Sequence, residues 1–515
     1  MNMFLLKGKR TCSGFGPRKW LFGILIVFIA GCAFLQHKKK GLIGRATTQH
    51  PQEQLPPLYS GEELRSKFSY SDINLYQNSQ CVCPTETWGP RRIEVFNLKK
   101  YLNPNDAEAM KARRKKEYEH YSKRHHSHGI LIAAPNSPLG YPTHGVQVKP
   151  LHTILLPGLQ VNADLRNYVV TLEASLGTFD TLVNTLDISE NVVSGRGEKR
   201  FVISTPDQNL LNHILSHITY TSNVYDIDSL DIITFTMDQH EAKIPVSIRQ
   251  PPMIRLYDPG AEQKIQSLVT ITTKTLLRYD KLKALISSIR QYYPEIKIIV
   301  ADDNNVTEKI EDDNVEQYFM PFGKGWFAGR NLAVSQVTTK YFLWVDDDFL
   351  FTKDTKIEKL VDVLESTNLD VVGASVDGNH FSFRLLLQEG GEEGDCLHWR
   401  GGSYQEIEGF PKCVLTGGVV NFFLAHTNRV LSVGFDPKLN RVAHTEFFVD
   451  ALGRLRVGSC SDVVVGHQKK DLSVLGSKDE KARMYNSFRT NTNEQVTMKL
   501  TLHYFKNRLS CFTKH

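Results

Sequence analysis

Tyr341-Phe342-Leu343-Trp344-Val345-Asp346-Asp347-Asp348-Phe349 decides how this chain is read. A run of β-forming residues ends in three consecutive carboxylates. Like charges repel and are costly to desolvate, so a buried strand that ends this way calls for a cation. Hard oxygen donors suit Mg²⁺, Mn²⁺ or Ca²⁺ rather than zinc. In open α/β sheets ligands bind outside the carboxyl ends of the strands, which is where this tip would lie. A solvated acidic turn is the alternative that spacing alone leaves open.

The flanking sequence supplies the rest of such a sheet. Residues 268–272 are predicted to form a strand, 279–292 an amphipathic helix closed by Pro294, and 297–301 a second strand that delivers Asp302 and Asp303. A helix over 331–337 leads into the strand 341–345, and 371–376 reads as another strand. Strands alternating with helices predict a mostly parallel sheet with right-handed crossovers. The texture upstream is different. β-rich runs at 153–161, 168–176, 201–204, 232–237 and 243–248 are separated by turn residues, and only 209–218 suggests a helix. That spacing predicts a compact antiparallel β domain over about 146–250, without a catalytic constellation. Gln250-Pro251-Pro252 punctuates the chain before the α/β region, 253–515.

A chain of 515 residues exceeds one small core, so two or more folded units are expected. Hydrophobic content of 41% and charged content of 23% are those of a globular protein, and the net charge of +6 is modest. The basic run 111–124 holds seven Lys/Arg against two Glu and reads as a solvated helix face, with no nucleic-acid signature beyond it. Residues 20–35 carry no charge and lie between Arg18-Lys19 and Lys38-Lys39-Lys40. At about 1.5 Å per residue they span about 24 Å, enough for one crossing of a thin bilayer. A cleaved signal peptide is the rival reading, since Ala30-Gly31-Cys32-Ala33 supplies small residues. The expected order is a cytosolic tail (1–19), a signal-anchor (20–35), a proline-bearing stem (36–65) and an N-terminal lumenal segment (66–145). Six cysteines follow the span, Cys81, Cys83, Cys396, Cys413, Cys460 and Cys511, with no C-x-x-C pair to suggest zinc. An even set is compatible with disulfides in a secretory compartment. Asn305-Val306-Thr307 is a sequon.

Taken in order, Ile299-Val300-Ala301-Asp302-Asp303, Gly329-Arg330-Asn331 and Val345-Asp346-Asp347-Asp348 resemble nucleotide-sugar glycosyltransferases of the GT-A fold. The likeness continues through the glycine loop Thr416-Gly417-Gly418, His444-Thr445-Glu446-Phe447-Phe448 in place of the acidic catalytic motif, and Val463-Val464-Val465-Gly466-His467 as the late metal-binding histidine. The tail, stem, β domain and catalytic domain together, with Cys81-Val82-Cys83, resemble the β-1,4-N-acetylgalactosaminyltransferases of glycosyltransferase family 12. That family includes the ganglioside GalNAc-transferase and the Sd(a) synthase, and overall likeness favours the Sd(a) branch. The resemblance implies an inverting transfer of GalNAc from UDP-GalNAc to the galactose of an α2,3-sialylated glycan, in the Golgi lumen.

The same resemblance implies roles. A divalent cation (Mn²⁺ or Mg²⁺) held by Asp348 and His467 would steady the departing diphosphate, with Asp346 at the ribose or supporting the metal. Asp347 should face the other way, because side chains alternate along a strand. Thr272, Thr273, Asp302 and Asp303 are expected at the uracil or ribose edge. Arg330 would pair with the diphosphate, with Lys324 a weaker candidate. Inversion needs one general base, Glu446 by motif position, with His444 and Asp450 as rivals. Lys412, Arg400 and Arg441 are candidates for reading an anionic acceptor, and Trp399 or Trp326 for stacking on a sugar, though a core aromatic explains either. Cys413 and Cys460 would bridge beside the site. Cys81 and Cys83 would pair with Cys396 and Cys511, within the chain or across a disulfide-linked homodimer. The competing functions are ganglioside-type transfer to glycolipid, a non-catalytic lumenal carbohydrate-binding protein, and a metal-dependent hydrolase, which lacks a second placed carboxylate.

Overall fold

The central strand Val269–Thr275 is buried at every position, as expected for a strand covered on both faces. In this computed structural model, which describes Cys81, Cys83, residues 94–125, Asn136, and residues 138–184, 191–468, 480–490 and 492–514, it is the axis of a ten-stranded sheet. Ile298–Asp302 and then Val315–Phe319 add in parallel on one side, and Tyr341–Trp344 adds in parallel on the other. The chain therefore reverses its winding direction between Val269–Thr275 and Tyr341–Trp344. The crevice at their carboxyl ends is the topological switch point where such sheets bind ligands.

Beyond Tyr341–Trp344 the sheet becomes mixed. Phe423–His426 is inserted antiparallel between Tyr341–Trp344 and Val371–Val376, followed by Val457–His467, Phe410–Leu415 and Gln405–Ile407. The expected mostly parallel sheet is thus wholly parallel only in its first half; beyond it Val371–Val376 and Val457–His467 pair in parallel among antiparallel neighbours. Two cores cover the two faces. Phe342 and Trp344 enter one, with Ile299 and Ala301, while Tyr341, Leu343 and Val345 enter the other, with Ile298 and Val300. Helix Tyr279–Tyr292 closes the second core through Leu282, Leu285, Ile286 and Ile289, spaced to lie on one helical face. The helix expected over 331–337 runs earlier, Trp326–Ser335, starting at Gly325. Gly325 has φ +92°, and a Cβ there would sit 2.5 Å from the Asn440 side chain, so only glycine fits.

A second sheet, Glu94–Asn97, Leu509–Lys514, Asp395–Gly401 and Phe383–Gln388, joins sequence from both ends of the chain. The basic helix Ala107–Arg124 belongs with it. Its face is not wholly solvated, since Arg114 is buried and donates to the carbonyls of Tyr504 and Glu393. The six cysteines stand in three intrachain pairs at bonding distance, Cys81 with Cys396, Cys83 with Cys511 and Cys413 with Cys460. None of the six is left over for the interchain bridge of the homodimer alternative.

In the β-rich region, a six-stranded sheet containing Tyr168–Glu173, Asp228–Met237 and His240–Arg249 shares one core with the smaller sheet Thr153–Leu155, Ile218–Ser222 and Gly177–Thr181. Helix Gln208–Leu215, near the one expected at 209–218, closes that core with Leu211, Ile214 and Leu215. Among the described residues no helix is long and apolar enough to cross a membrane, and the expected span at 20–35 lies outside them. Cys460→Ser should destabilise the protein by about 3–4 kcal/mol, the loop-closure value for a 47-residue separation. Urea unfolding with and without reductant measures it.

Candidate active site

The acidic tip lies at the switch point. Alternation persists past the strand end. Asp347 faces away and is buried against Thr275 Oγ1 (3.0 Å) and Arg278, while Asp346 and Asp348 face a cavity of about 260 Å³. Asp346 accepts from Trp344 Nε1 (3.1 Å) and Asn421 Nδ2 (3.1 Å). Burial pushes its carboxyl up to about 6, Arg330 opposes the shift and Asp348 adds to it. Burial likewise pushes Asp347 up to about 7. Carboxyls held that close to neutral gain from any added positive charge, which is the condition for a cation site.

Asp348 and His467 meet because Phe349 pairs with His467 in antiparallel register, and Gln468 N donates to the Asp348 carbonyl at 2.8 Å. His467 Nδ1 lies 2.7 Å from the Gln468 carbonyl, which only accepts. Nδ1 therefore donates, and the ring turns its other nitrogen, Nε2, toward Asp348 Oδ2, 3.5 Å away. A backbone carbonyl that fixes the tautomer is what a metal-binding histidine needs. Among the described residues no cluster of three or more His, Cys, Asp or Glu surrounds this pair. Two protein donors suit a hard ion that also takes water and phosphate oxygens.

Arg330 lines the cavity although it is 1% exposed. Its Nη2 donates to Asn421 Oδ1 at 2.7 Å, and its guanidinium lies 4.5 Å from the Trp344 ring centroid. Desolvation lowers its pKa to about 10, so it stays charged. Asn421 thus links Arg330 to Asp346. Gly329, one residue before, lies where a Cβ would meet the Lys274 chain at 2.5 Å, which explains glycine in Gly329-Arg330-Asn331.

Other expected residues are elsewhere. Thr272 and Thr273 are fully buried, and neither lines the cavity; Thr272 Oγ1 donates to the Leu343 carbonyl at 3.4 Å. Asp302 is consumed by Tyr279 OH (2.6 Å), Gln317 Nε2 (2.7 Å) and Asn304 Nδ2 (2.6 Å). Asp303 pairs with Lys274 (2.6 Å) and accepts from Gly325 N (3.0 Å), so it shapes the glycine-rich turn. Their buried strand-end positions draw structural partners that the sequence pattern does not reveal. Lys324 and Lys412 are exposed, Arg400 donates to Thr513 Oγ1 (2.9 Å), and Trp399 packs edge-on against Phe383. Trp326 and Arg441 do line the cavity.

Glu446 does not stand on the cavity wall. It is fully buried, with Oε1 2.8 Å from Lys506 Nζ, which also holds Asp450 at 2.5 Å. Burial, reinforced by the Asp450 charge, pushes its carboxyl up to about 8, and Oε2 has no hydrogen-bond partner. His444 lies on the wall, its Nε2–H donating to the Val419 carbonyl. Burial, with Arg330 adding, lowers it to about 3, so it is neutral.

Sequence reasoning missed four contributors. Arg278 follows the central strand and binds both Asp347 and Asp348. Asn421 sits just past the glycine loop, and Tyr485 and Arg489 reach the cavity from helix Glu480–Thr490. A cation at the carboxyl end of the neighbouring strand was the legible signal for Arg278. Asn421→Leu would strand Asp346 and Arg330 together and should cost about 2–3 kcal/mol in urea unfolding, whereas Asn421→Asp should recover part of it through Arg330.

The family model for glycosyl transferase family 2 matches residues 269–423. β-1,4 N-acetylgalactosaminyltransferase 2 of Mus musculus is 50% identical over 507 residues, covering 95% of this chain and 96% of its own. β-1,4 N-acetylgalactosaminyltransferase 1 of Rattus norvegicus is 48% identical over 529 residues, covering 95% and 98%. Among solved structures, S. aureus TarS 1–349 overlays with a TM-score of 0.31 at 15% identity, over 46% of this chain and 80% of its own.

Proposed function

This chain belongs to the β-1,4 N-acetylgalactosaminyltransferases and is a transferase, and we propose that it moves GalNAc from UDP-GalNAc, with inversion, to the galactose of an α2,3-sialylated glycan. The observation that carries the reading is the pairing of Asp346 and Asp348 with His467 and a ring of arginines in one cavity at the switch point. Similarity to both numbered relatives is nearly equal, 50% and 48%, so the acceptor assignment rests on overall likeness and on cavity charge. Arg441 and Arg489 add positive charge to the wall, which suits an acceptor bearing a carboxylate. An anchor at 20–35 and a lumenal Golgi site go with this reading, supported by three cysteine pairs at bonding distance.

Asp348 and His467 would hold a divalent ion, and their carboxylate-plus-imidazole set suits Mn²⁺. Bound there, it would supply positive charge beside the leaving diphosphate. The chain's own part is positional. Asn421 and Trp344 fix Asp346, and Arg330 offers a desolvated guanidinium to phosphate oxygens. Inversion also needs one group to accept the acceptor's hydroxyl proton. Motif position proposes Glu446, supported by a pKa raised toward working pH and a free Oε2. His444 is the second reading, favoured by its place on the wall and by Nδ1, which has no partner.

The test is transfer to 3′-sialyl-lactosamine with UDP-GalNAc. Transfer is expected, and failure on that acceptor with success on glycolipid would overturn the acceptor assignment. Glu446→Gln should remove transfer and keep UDP binding, while His444→Gln should lose less; the reverse order selects His444. The pH profile gives a separate check. Transfer should rise as pH climbs through about 8 and Glu446 loses its proton. Because its folded pKa is raised, the stability it contributes is present at low pH. That contribution fades as pH rises from about 4.5 to about 8. Glu446→Gln should flatten that part of the stability–pH curve.

A further inference from the structure

We infer that Arg278 is a built-in counter-ion of the acidic tip, which hands Asp348 over and takes a phosphate of the nucleoside diphosphate when donor and cation bind. The inference rests on the donor-and-cation reading above. Four observations support it.

The backbone is bent to aim this side chain. Leu277 has φ +59°, a left-handed conformation that strains a non-glycine residue. Its N–H is captured by Asn304 Oδ1, and Asn304 is itself fixed by two bonds to Asp302 Oδ1, at 2.6 and 3.0 Å. Asp302, expected at the nucleotide, thus acts two steps away, through Asn304 and the Leu277 turn.

The guanidinium then bridges two carboxylates, Nη2 to Asp347 and Nη1 to Asp348 Oδ2 at 2.8 Å. That same Oδ2 is the atom facing His467 Nε2. A cation held by Asp348 and His467 and the Nη1 of Arg278 therefore compete for one oxygen. Two like charges drawn to one oxygen repel at close range, so each weakens the other's hold on it.

Displacement need not expel the side chain. Asp347, which does not line the cavity that Asp348 faces, keeps Nη2, while Tyr485 covers the guanidinium, its ring centroid 4.6 Å away. Released, Nη1 stays at the cavity rim. Nε is buried and has no acceptor, so a second donor is already unspent. Released, Nη1 offers a phosphate oxygen a charge-assisted bond of fixed direction, which a lysine ammonium does only as a point charge.

Loss of Arg278 should move cation and nucleotide affinity in opposite directions, which loss of a merely structural arginine would not. With the full chain, binding of Mn²⁺ alone is followed by electron paramagnetic resonance, and binding of UDP at saturating Mn²⁺ by calorimetry. Arg278→Gln removes the competitor, so Mn²⁺ alone should bind several-fold more tightly. UDP should bind roughly tenfold to a hundredfold more weakly, the usual range for a lost charge-assisted hydrogen bond. Arg278→Lys keeps the charge and protects the fold; it should hold Mn²⁺ near the wild-type level yet still lose UDP affinity. Wild-type UDP affinity in Arg278→Lys, or weaker Mn²⁺ binding in a folded Arg278→Gln, overturns the inference alone. A wild-type chain that takes up neither Mn²⁺ nor UDP overturns the donor reading and the inference with it.

Discussion

Three carboxylates at the end of a buried strand set the terms for everything around them. Without a positive neighbour, desolvation would force protons onto them, as the raised pKa values of Asp346 and Asp347 indicate. The fold meets that constraint with side chains from separate parts of the sequence. Arg278 comes from the preceding strand's end, Arg330 from helix Trp326–Ser335, and His467 from the end of a strand more than a hundred residues later. Each is delivered by backbone that is itself fixed, so charge placement here follows from sheet register.

The register also explains why the site is where it is. Reversal of winding between Val269–Thr275 and Tyr341–Trp344 leaves a crevice open at their carboxyl ends. Phe423–His426 completes the wall by running antiparallel beside Tyr341–Trp344, which brings Asn421 next to Asp346. Cys413 and Cys460, directly opposite in adjacent strands, tie Phe410–Leu415 to the strand that carries His467. Residues from the two ends of the chain close a second sheet, and helix Asn493–Phe505 lies just before Lys506, the partner of Glu446.

What the sequence reveals and what it hides divide along physical lines. Periodicity is local, so helix Tyr279–Tyr292 and strand Val371–Val376 are readable to the residue, and alternation places Asp347 opposite its neighbours. Pairing between distant segments leaves no local trace. Nothing near Glu446 announces Lys506 across sixty residues, and nothing near Asp302 shows that Tyr279, Asn304 and Gln317 saturate it. The antiparallel insertion of Phe423–His426 is invisible for the same reason, since a short apolar run reads alike in either direction. Arg278 was within reach: its place after the central strand puts it beside the tip once the parallel pairing is assumed.

In the function proposed, this tip, with a divalent ion, grips a nucleoside diphosphate. Calorimetry of UDP binding to the full chain, run once with Mn²⁺ and once with chelator, tests it directly. At least a tenfold loss of affinity in chelator is the predicted result, equivalent to about 1.4 kcal/mol. Equal affinity under both conditions would contradict it.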